Sequence, residues 1–168
     1  MKPIRILVAL VALVGLSACY TSENALVSDD DAVTPFAKIT FLGKPGESKP
    51  DDKPIAFTRD GKAYVTTGDD GEMSLRLKPV EGNFYVAQLS GQGGDGKTEY
   101  LYGYIRIDLA AKVADVWRMV GTKDDVRPGL RECKDAVCID DLAAYVAYGK
   151  EAVAAGSPPD SSFVIEVE

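Results

Sequence analysis

The sequence predicts a mainly β domain, an antiparallel meander of about seven to eight strands that forms a barrel or a sandwich, with one helix in the C-terminal half packed against it. Short runs rich in β-branched and aromatic residues recur from Phe36 onward. Gly-containing turn signals separate these runs. Only the segment near residues 140–155 combines apolar residues at helical spacing with clear start and stop signals.

The expected strands follow one another along the chain with turns between them. Asp60-Gly61 is a strong hairpin signal, because a type I′ turn needs positive φ at both central residues. Asp70-Gly71 and Gly82-Asn83 mark two further turns. The stretch 43–54 contains three prolines and is expected to be a loop. The expected strands are residues 37–42, 55–58, 63–67, 73–77, 84–89 and 99–108.

A glycine-rich segment, residues 91–97, has two functional interpretations. Gly91, Gly96, Lys97 and Thr98 match the letters of a phosphate-binding loop. A strand-like run follows, however, and not the helix whose N-terminus would receive a phosphate. A calcium-binding glycine repeat would need several stacked copies, which the sequence lacks. The segment is therefore predicted to be a hairpin loop.

Residues 109–120 fit two patterns. Leu109 and Val113 are spaced as on one face of a helix, whereas Val113, Asp115 and Trp117 alternate as in a strand. The long strand expected before this segment, and its own content of β-branched and aromatic residues, favour the second strand of a hairpin.

One helix has clear boundaries in the sequence. Asp140 or Asp141 is the expected N-cap, and Gly156 followed by two prolines ends the segment. A last apolar run, residues 163–167, is predicted to return as a strand and close the domain. The helix face expected to be buried carries Leu142, Tyr145, Val146, Gly149 and Val153.

Residues 1–18 have the features of a signal peptide. Lys2 and Arg5 form a positive end, and residues 6–16 are an apolar run. A membrane-spanning helix needs about 20 apolar residues, so this run is too short to remain in the membrane as a span.

The residues Leu16-Ser17-Ala18-Cys19 resemble the lipobox of bacterial lipoproteins. The resemblance implies lipid attachment at the Cys19 thiol, cleavage after Ala18, and a mature protein anchored to a membrane of the bacterial cell envelope. Tyr20 occupies the next position, where an Asp would resemble a signal for retention in the inner membrane, and this favours the outer membrane. The alternative is an ordinary secretory signal that ends near an incidental cysteine.

The mature chain is predicted to have two parts. Residues 19–34 are polar and acidic and are expected to form a flexible tether, and residues 35–168 are expected to form a single globular domain. The whole chain has a net charge of −7, and residues 1–18 contain two cations and no acid, so the charge of the remainder is −9. This acidity argues against a nucleic-acid partner, which would need clustered Lys and Arg.

Cys133 and Cys138 are predicted to form a disulfide, because an even pair of cysteines in an exported protein is most simply oxidised. A metal site is one alternative, but the chain has no His, and two cysteines cannot complete a tetrahedral zinc shell. A redox pair is another alternative, although its usual spacing is Cys-x-x-Cys. No metal and no cofactor is expected.

The expected class is a non-catalytic protein, because a chain without His has no imidazole base and no Ser-His or Cys-His pair. A candidate interaction surface consists of Tyr100, Tyr102, Tyr104 and Arg106, which lie on one face of a single expected strand. The alternative, which we favour, is that these tyrosines pack under the helix or a neighbouring strand.

Two functions are compatible with these features. The first, preferred on the sequence alone, is an envelope lipoprotein that contacts another protein or the cell wall. The second is a carrier that holds a small apolar molecule inside a barrel of about eight strands. A filled barrel interior with an exposed tyrosine face would favour the first, and an apolar cavity would favour the second.

Overall fold

The computed structural model describes residues 18–44, 53–68, 71–93, 96–133 and 136–168, except for the side chains of residues 18 and 123. Residues 1–17 of the predicted signal peptide lie outside the described residues. The described ranges form strands β1 (Ala18–Ser22), β2 (Lys38–Phe41), β3 (Ile55–Asp60), β4 (Ala63–Gly68), β5 (Gly71–Glu81), β6 (Phe84–Gln92), β7 (Thr98–Asp108), β8 (Val113–Trp117), β9 (Val120–Gly121), β10 (Leu130–Cys133), β11 (Ala136–Ile139) and β12 (Ser161–Val167), together with a 3-10 turn at Lys123–Asp125 and the helix α1 (Leu142–Ala154).

Eight of these strands close into an antiparallel barrel. Strands β2 to β8 form a meander in which each strand pairs with the next, and β12 lies between β8 and β2. In this closing strand, Phe163 pairs with Ala114 of β8, and Ile165 pairs with Phe41 of β2. The predicted fold class is confirmed, and so is the predicted return of the last apolar run.

Turns lie at the predicted places between β3 and β4 and between β5 and β6, but they are not of the expected type I′, because only the first central residue of each has positive φ and Lys62 and Asn83 do not. Asp70 of the predicted turn before β5 lies outside the described residues. Gly61 and Gly82 have φ angles of 58° and 54°, a backbone region that favours glycine.

Strands β6 and β7 pair antiparallel as far as Gln92 and Thr98, so the predicted hairpin is confirmed, whereas residues 94 and 95 of the glycine-rich segment lie outside the described residues. Strand β8 pairs antiparallel with β7, so the hairpin prediction for residues 109–120 is also confirmed.

The hydrophobic core has two parts, one on each side of the barrel wall. Inside the barrel lie inward-facing side chains such as Phe57 and Ile165. Between the barrel and α1 lies a second cluster, rich in aromatic rings, that includes Tyr104, Trp117 and Tyr145. Because side chains alternate along a strand, a strand covered on both faces contributes to both parts.

Helix α1 begins and ends close to the predicted positions. Asp141 is its N-cap and accepts a hydrogen bond from the Ala143 N–H at 2.8 Å. Gly156 follows the helix with a φ angle of 70°. Within the described residues, neither this helix nor any other has the length and apolar character that crossing a membrane requires.

The buried face of α1 is rotated from the predicted one. Its central residues are Tyr145, Tyr148, Gly149 and Ala152, whereas Leu142, Val146 and Val153 are only partly buried at its borders. The prediction followed the large aliphatic residues. The rings of the helix tyrosines pack on the sheet instead, and the small residues Gly149 and Ala152 allow the helix to approach the sheet closely.

Strands β1, β9, β10 and β11 extend the sheet on one side of the barrel. β1 pairs with the first half of β7 and runs parallel to β11. β10 and β11 form a hairpin that is closed by a disulfide between Cys133 and Cys138, whose Cα atoms are 5.8 Å apart. The predicted disulfide is therefore confirmed, and it lies shortly before the start of α1.

The predicted tether, residues 19–34, is folded onto the barrel. Its first residues belong to β1, and the side chains of Tyr20, Val27 and Ala32 are at most 1% exposed. The tether prediction is wrong because the few apolar groups of this segment pack against the outer face of the sheet, next to Val86 and its neighbours. The composition of residues 19–34 alone does not reveal that the sheet has an apolar outer face against which these residues can pack.

We call residues 23–36 the strap, because they cross the outer face of β5, β6 and β7. The N–H groups of Leu26 and Val27 both donate to Gln88 Oε1 at 2.9 Å. The Val33 N–H donates to the Leu77 carbonyl at 2.8 Å. The acidic residues of the strap form two ion pairs with β5, Asp29 with Arg76 at 2.7 Å and Asp31 with Lys78 at 2.9 Å.

Candidate functional site

The barrel interior contains a cavity of about 700 Å³. All eight barrel strands contribute to its lining, since every second residue of each strand points inward. The lining is mainly apolar, and its larger side chains include Phe41, Leu75, Leu89, Ile105 and Phe163. The volume lies within the range of ~300–1,000 Å³ that is typical of small-molecule sites.

The cavity exists because small residues occupy inward positions on three adjacent strands. Ala87 of β6, Gly103 of β7 and Ala114 of β8 all line it. At Gly103 the space next to the backbone is taken by Val116, since a Cβ there would lie 2.7 Å from Val116 Cγ1, so the open space borders the two alanines. A barrel of eight strands is either filled by its side chains or holds one small ligand, and these small residues favour the second state.

The cavity lies toward one end of the barrel. At the other end the interior is filled by Tyr64, whose hydroxyl accepts from the Phe36 N–H at 3.0 Å and donates to the Phe36 carbonyl at 3.2 Å. At the cavity end, β2 stops and β3 starts. We call this end the rim, and its described lining residues include Lys44, Lys53, Thr66 and Thr67.

Cys19 lies in the wall of the cavity. Strand β7 pairs with β1 along its first half and with β8 along its second half. Cys19 and Met119 line the cavity near the point where β7 passes from one partner strand to the other. In the sheet extension, Cys19 pairs with Val120 of β9. The side chain is partly exposed, and its burial raises the pKa of the thiol, which keeps the sulfur protonated.

Cys19 is also the free cysteine of the chain, since Cys133 and Cys138 are bonded to each other. Of the predicted lipobox, the structure describes the backbone of Ala18 and all of Cys19, whereas Leu16 and Ser17 lie outside the described residues. The thiol to which the lipobox resemblance assigns a lipid therefore has no disulfide partner.

The candidate interaction surface on β7 is not an exposed face. Tyr102 and Tyr104 are 2% and 1% exposed, because α1 and the strap cover the outer side of β7. Tyr104 stacks on Phe84 with a ring-centroid distance of 5.4 Å. Tyr100 is partly buried against the same cluster, and Arg106 pairs with Asp115 at 2.6 Å. The interaction-surface prediction is corrected in favour of the alternative, in which the tyrosines pack under the helix.

Tyr102 instead takes part in a buried polar network that holds the strap. Its hydroxyl lies 2.9 Å from Gln88 Oε1 and accepts a hydrogen bond from the Leu26 N–H at 3.1 Å. Gln88 is 1% exposed, so the network is closed to water. Burial raises the pKa of Tyr102 to about 12. The role of this tyrosine is structural.

No residue of the described ranges belongs to a group of three or more His, Cys, Asp or Glu side chains that could hold a metal ion. No protein-family model matches the chain, and no curated protein and no solved structure shows significant similarity to it. The class of the protein therefore follows from its fold and its cavity alone, and it is an antiparallel barrel of eight strands with an apolar interior cavity.

Sequence reasoning did not name the residues that line this cavity. The alternation of Met73, Leu75 and Leu77 identifies one apolar face of β5. Whether that face meets other side chains or lines a cavity depends on the sizes of residues on strands that are distant in sequence, such as Ala87 and Ala114. The alternation within each strand therefore predicts which residues face inward, but it does not predict that these residues surround a cavity.

Proposed function

We propose that this protein is a lipid-anchored protein of the bacterial cell envelope whose barrel binds one small apolar molecule. The observation that carries the proposal is the cavity of about 700 Å³ with its mainly apolar wall. An apolar ligand that enters it removes apolar surface from water on both partners, which is the main driving force for such binding. The role is binding without catalysis, in keeping with a chain that has no His.

The geometry favours this function over contact with another protein or the cell wall. An exposed face of Tyr100, Tyr102, Tyr104 and Arg106 was the basis for such a contact. Two of these tyrosines lie under α1 and the strap, and Arg106 is engaged with Asp115. A small-molecule ligand uses the interior of the barrel and needs none of these residues.

The anchor is part of the proposal and rests on the lipobox resemblance. The free Cys19 thiol supports it. β1 includes Cys19, so a lipid on this residue would hold the barrel at the bilayer surface and not at the end of a tether. More than one acyl chain gives durable attachment, because one chain alone binds a membrane only marginally. Tyr20 favours the outer membrane.

The anchor is tested by metabolic labelling with an alkyne-bearing fatty acid in cells that express the full chain. Labelling is expected in the natural protein, and globomycin is expected to block its processing. Cys19→Ser should abolish the label. The matched control is Cys133→Ser with Cys138→Ser, which removes the other two sulfurs and should retain it. Labelling that persists in Cys19→Ser would refute the anchor.

The cavity is tested with a photoreactive long-chain alcohol added to the purified lipoprotein in neutral phosphatidylcholine vesicles. After illumination, mass spectrometry should find the label on inward-facing residues of β5, β6 and β7. Ala87→Phe fills the cavity and should reduce this labelling strongly. Ala147→Phe, at an exposed position of α1, adds the same side chain outside the barrel and should leave it unchanged. Labelling restricted to outer surfaces would contradict ligand binding in the barrel.

A further inference from the structure

The side chain of Cys19 lies on the inner face of the barrel wall. Strand β1 continues this wall beside the first half of β7, where Thr21 pairs with Leu101, a residue of the cavity lining. Because side chains alternate along a strand, Cys19 and Thr21 share the face of Leu101, and Tyr20 points to the other side. The contacts agree with this alternation, since Tyr20 is buried in the cluster under α1 and Cys19 lines the cavity. A group attached to Cys19 Sγ therefore starts at the cavity.

Cys19 also lies at the border between the barrel and the sheet extension. Strand β7 pairs with β1 up to Leu101 and with β8 from Tyr104 onward. Cys19 pairs with Val120 of β9, and neither β1 nor β9 belongs to the eight strands that close the barrel. A lipid with several chains at this position can therefore place one chain in the cavity and leave the others outside the barrel.

The cavity is long enough for one acyl chain. Along β7 the lining runs from Leu101 to Ile107, which is ~20 Å at about 3.4 Å per residue. The hydrocarbon core of a bilayer is ~30 Å thick and consists of two opposed chains, so one chain spans ~15 Å. Cys19 lies near the start of this stretch of β7, so a chain that begins at its sulfur can follow the strand into the barrel.

The interior offers such a chain apolar contacts. Inward-facing residues such as Leu89, Ile105 and Phe163 supply them. The burial of a hydrocarbon chain against these side chains removes apolar surface from water, which favours binding. Apolar contact is sufficient for a chain held by a covalent bond, because its position does not depend on recognition of a head group.

We infer that one acyl chain of the lipid on Cys19 occupies the barrel of the same molecule, while its other chains insert into the bilayer. This inference rests on the proposed function and specifies its ligand. The lipobox resemblance implies two chains on the sulfur and one on the amino group, so one chain in the barrel leaves two for the bilayer, and two chains attach durably. A chain tethered at the cavity wall has an effective concentration in the ~mM range, which favours it over free molecules.

The test places a photoreactive group in the attached chain itself. Cells that express the full chain are fed a fatty acid with a diazirine near its methyl end, and the purified lipoprotein is illuminated in neutral phosphatidylcholine vesicles. Mass spectrometry should find the attached chain cross-linked to residues toward the far end of the lining, such as Ile105 and Ile107. A diazirine near the carboxyl end should shift the cross-links to Leu101 and Met119, near Cys19.

Two comparisons show whether the chain occupies the cavity of its own molecule. In a mixture of isotope-labelled and unlabelled lipoprotein, the lipidated peptide and the peptide cross-linked to it should carry the same isotope. Ala87→Phe narrows the cavity and should lose most cross-links to the lining, whereas Ala147→Phe, the matched control at an exposed position of α1, should keep them. An excess of the long-chain alcohol in the vesicles should also lower these cross-links, because the two chains compete for one cavity.

Cross-links confined to phosphatidylcholine or to outer surfaces, or cross-links between differently labelled copies, would overturn the inference. The proposed function stands in that case if the free alcohol still labels the lining. Failure of both the attached chain and the alcohol to label the lining would refute the proposed function as well. A lipoprotein that incorporates no photoreactive chain would overturn the inference together with the anchor on which it rests.

Discussion

Gly149 of α1 lies directly over the ring of Tyr104 on β7. A Cβ at position 149 would be 2.4 Å from Tyr104 Cγ and 2.8 Å from Tyr104 Cβ, which is closer than real side chains approach. Both of these atoms lie near the backbone, so a small rotation of the ring does not relieve the clash. The absence of a side chain at Gly149 therefore sets how closely the helix packs on the barrel.

Gly149→Val is expected to destabilise the protein by ~1–3 kcal/mol, because it overpacks the contact with Tyr104. The free energy of unfolding in urea measures this effect. Ala147→Val, at an exposed position of α1, places the same β-branched residue on the helix without the contact and should cost under ~1 kcal/mol. Equal stability of the two variants would contradict the close packing.

Gln88→Leu is expected to loosen the strap. The Val27 N–H loses its acceptor and the Leu26 N–H keeps only the Tyr102 hydroxyl, and a buried unsatisfied donor costs ~1–3 kcal/mol. Hydrogen exchange at residues 24–33 should speed up more than exchange in β4 or β5. Gln92→Leu, an exposed change at the end of the same strand, should leave this exchange unchanged. Uniform exchange across the strap and the barrel in Gln88→Leu would show that Gln88 does not hold the strap.

Stability is expected to fall at alkaline pH through Tyr102. Its pKa is about 12 in the folded protein, above the usual value of 10, because burial disfavours the charged form. The contribution is complete below pH 10, and it is lost as the pH rises from 10 through about 12, where the unfolded chain loses a proton that the folded protein keeps. In Tyr102→Phe the unfolding free energy should depend less steeply on pH over this window. A slope that is unchanged in Tyr102→Phe would show that this hydroxyl does not contribute to the loss of stability.

The disulfide is expected to contribute about 2 kcal/mol, because the loop that it closes is small and the constraint on the unfolded chain is modest. Cys133→Ser with Cys138→Ser should lower the unfolding free energy by that amount. Addition of a reductant should lower the stability of the natural protein similarly and leave the double variant unchanged. A reductant effect that is equal in both proteins would show that it does not act through this disulfide.

Local signals account for most of the barrel strands. Asp60-Gly61 and the alternation on either side of it predict β3 and β4 because a two-residue turn and its flanking strands depend on neighbouring residues only. The helix boundaries were also predictable, since the capping interaction of Asp141 with the Ala143 N–H is local. The strap was not, because its apolar residues are few and are stabilised by side chains about 60 residues away, Gln88 foremost.

The sequence by itself determined the alternation of the strands, the turns, the single helix and the pairing of Cys133 with Cys138, because each depends on residue types and spacing along a short stretch. Only the tertiary structure decided which face of β7 is covered and whether the barrel interior is filled. Tyr102 has the same sequence pattern whether a strap lies over it or not. Ala87 and Ala114 border a cavity only because closure of the barrel encloses the face that they share and the side chains of the other strands do not fill it, and packing of this kind depends on volumes contributed by distant parts of the chain.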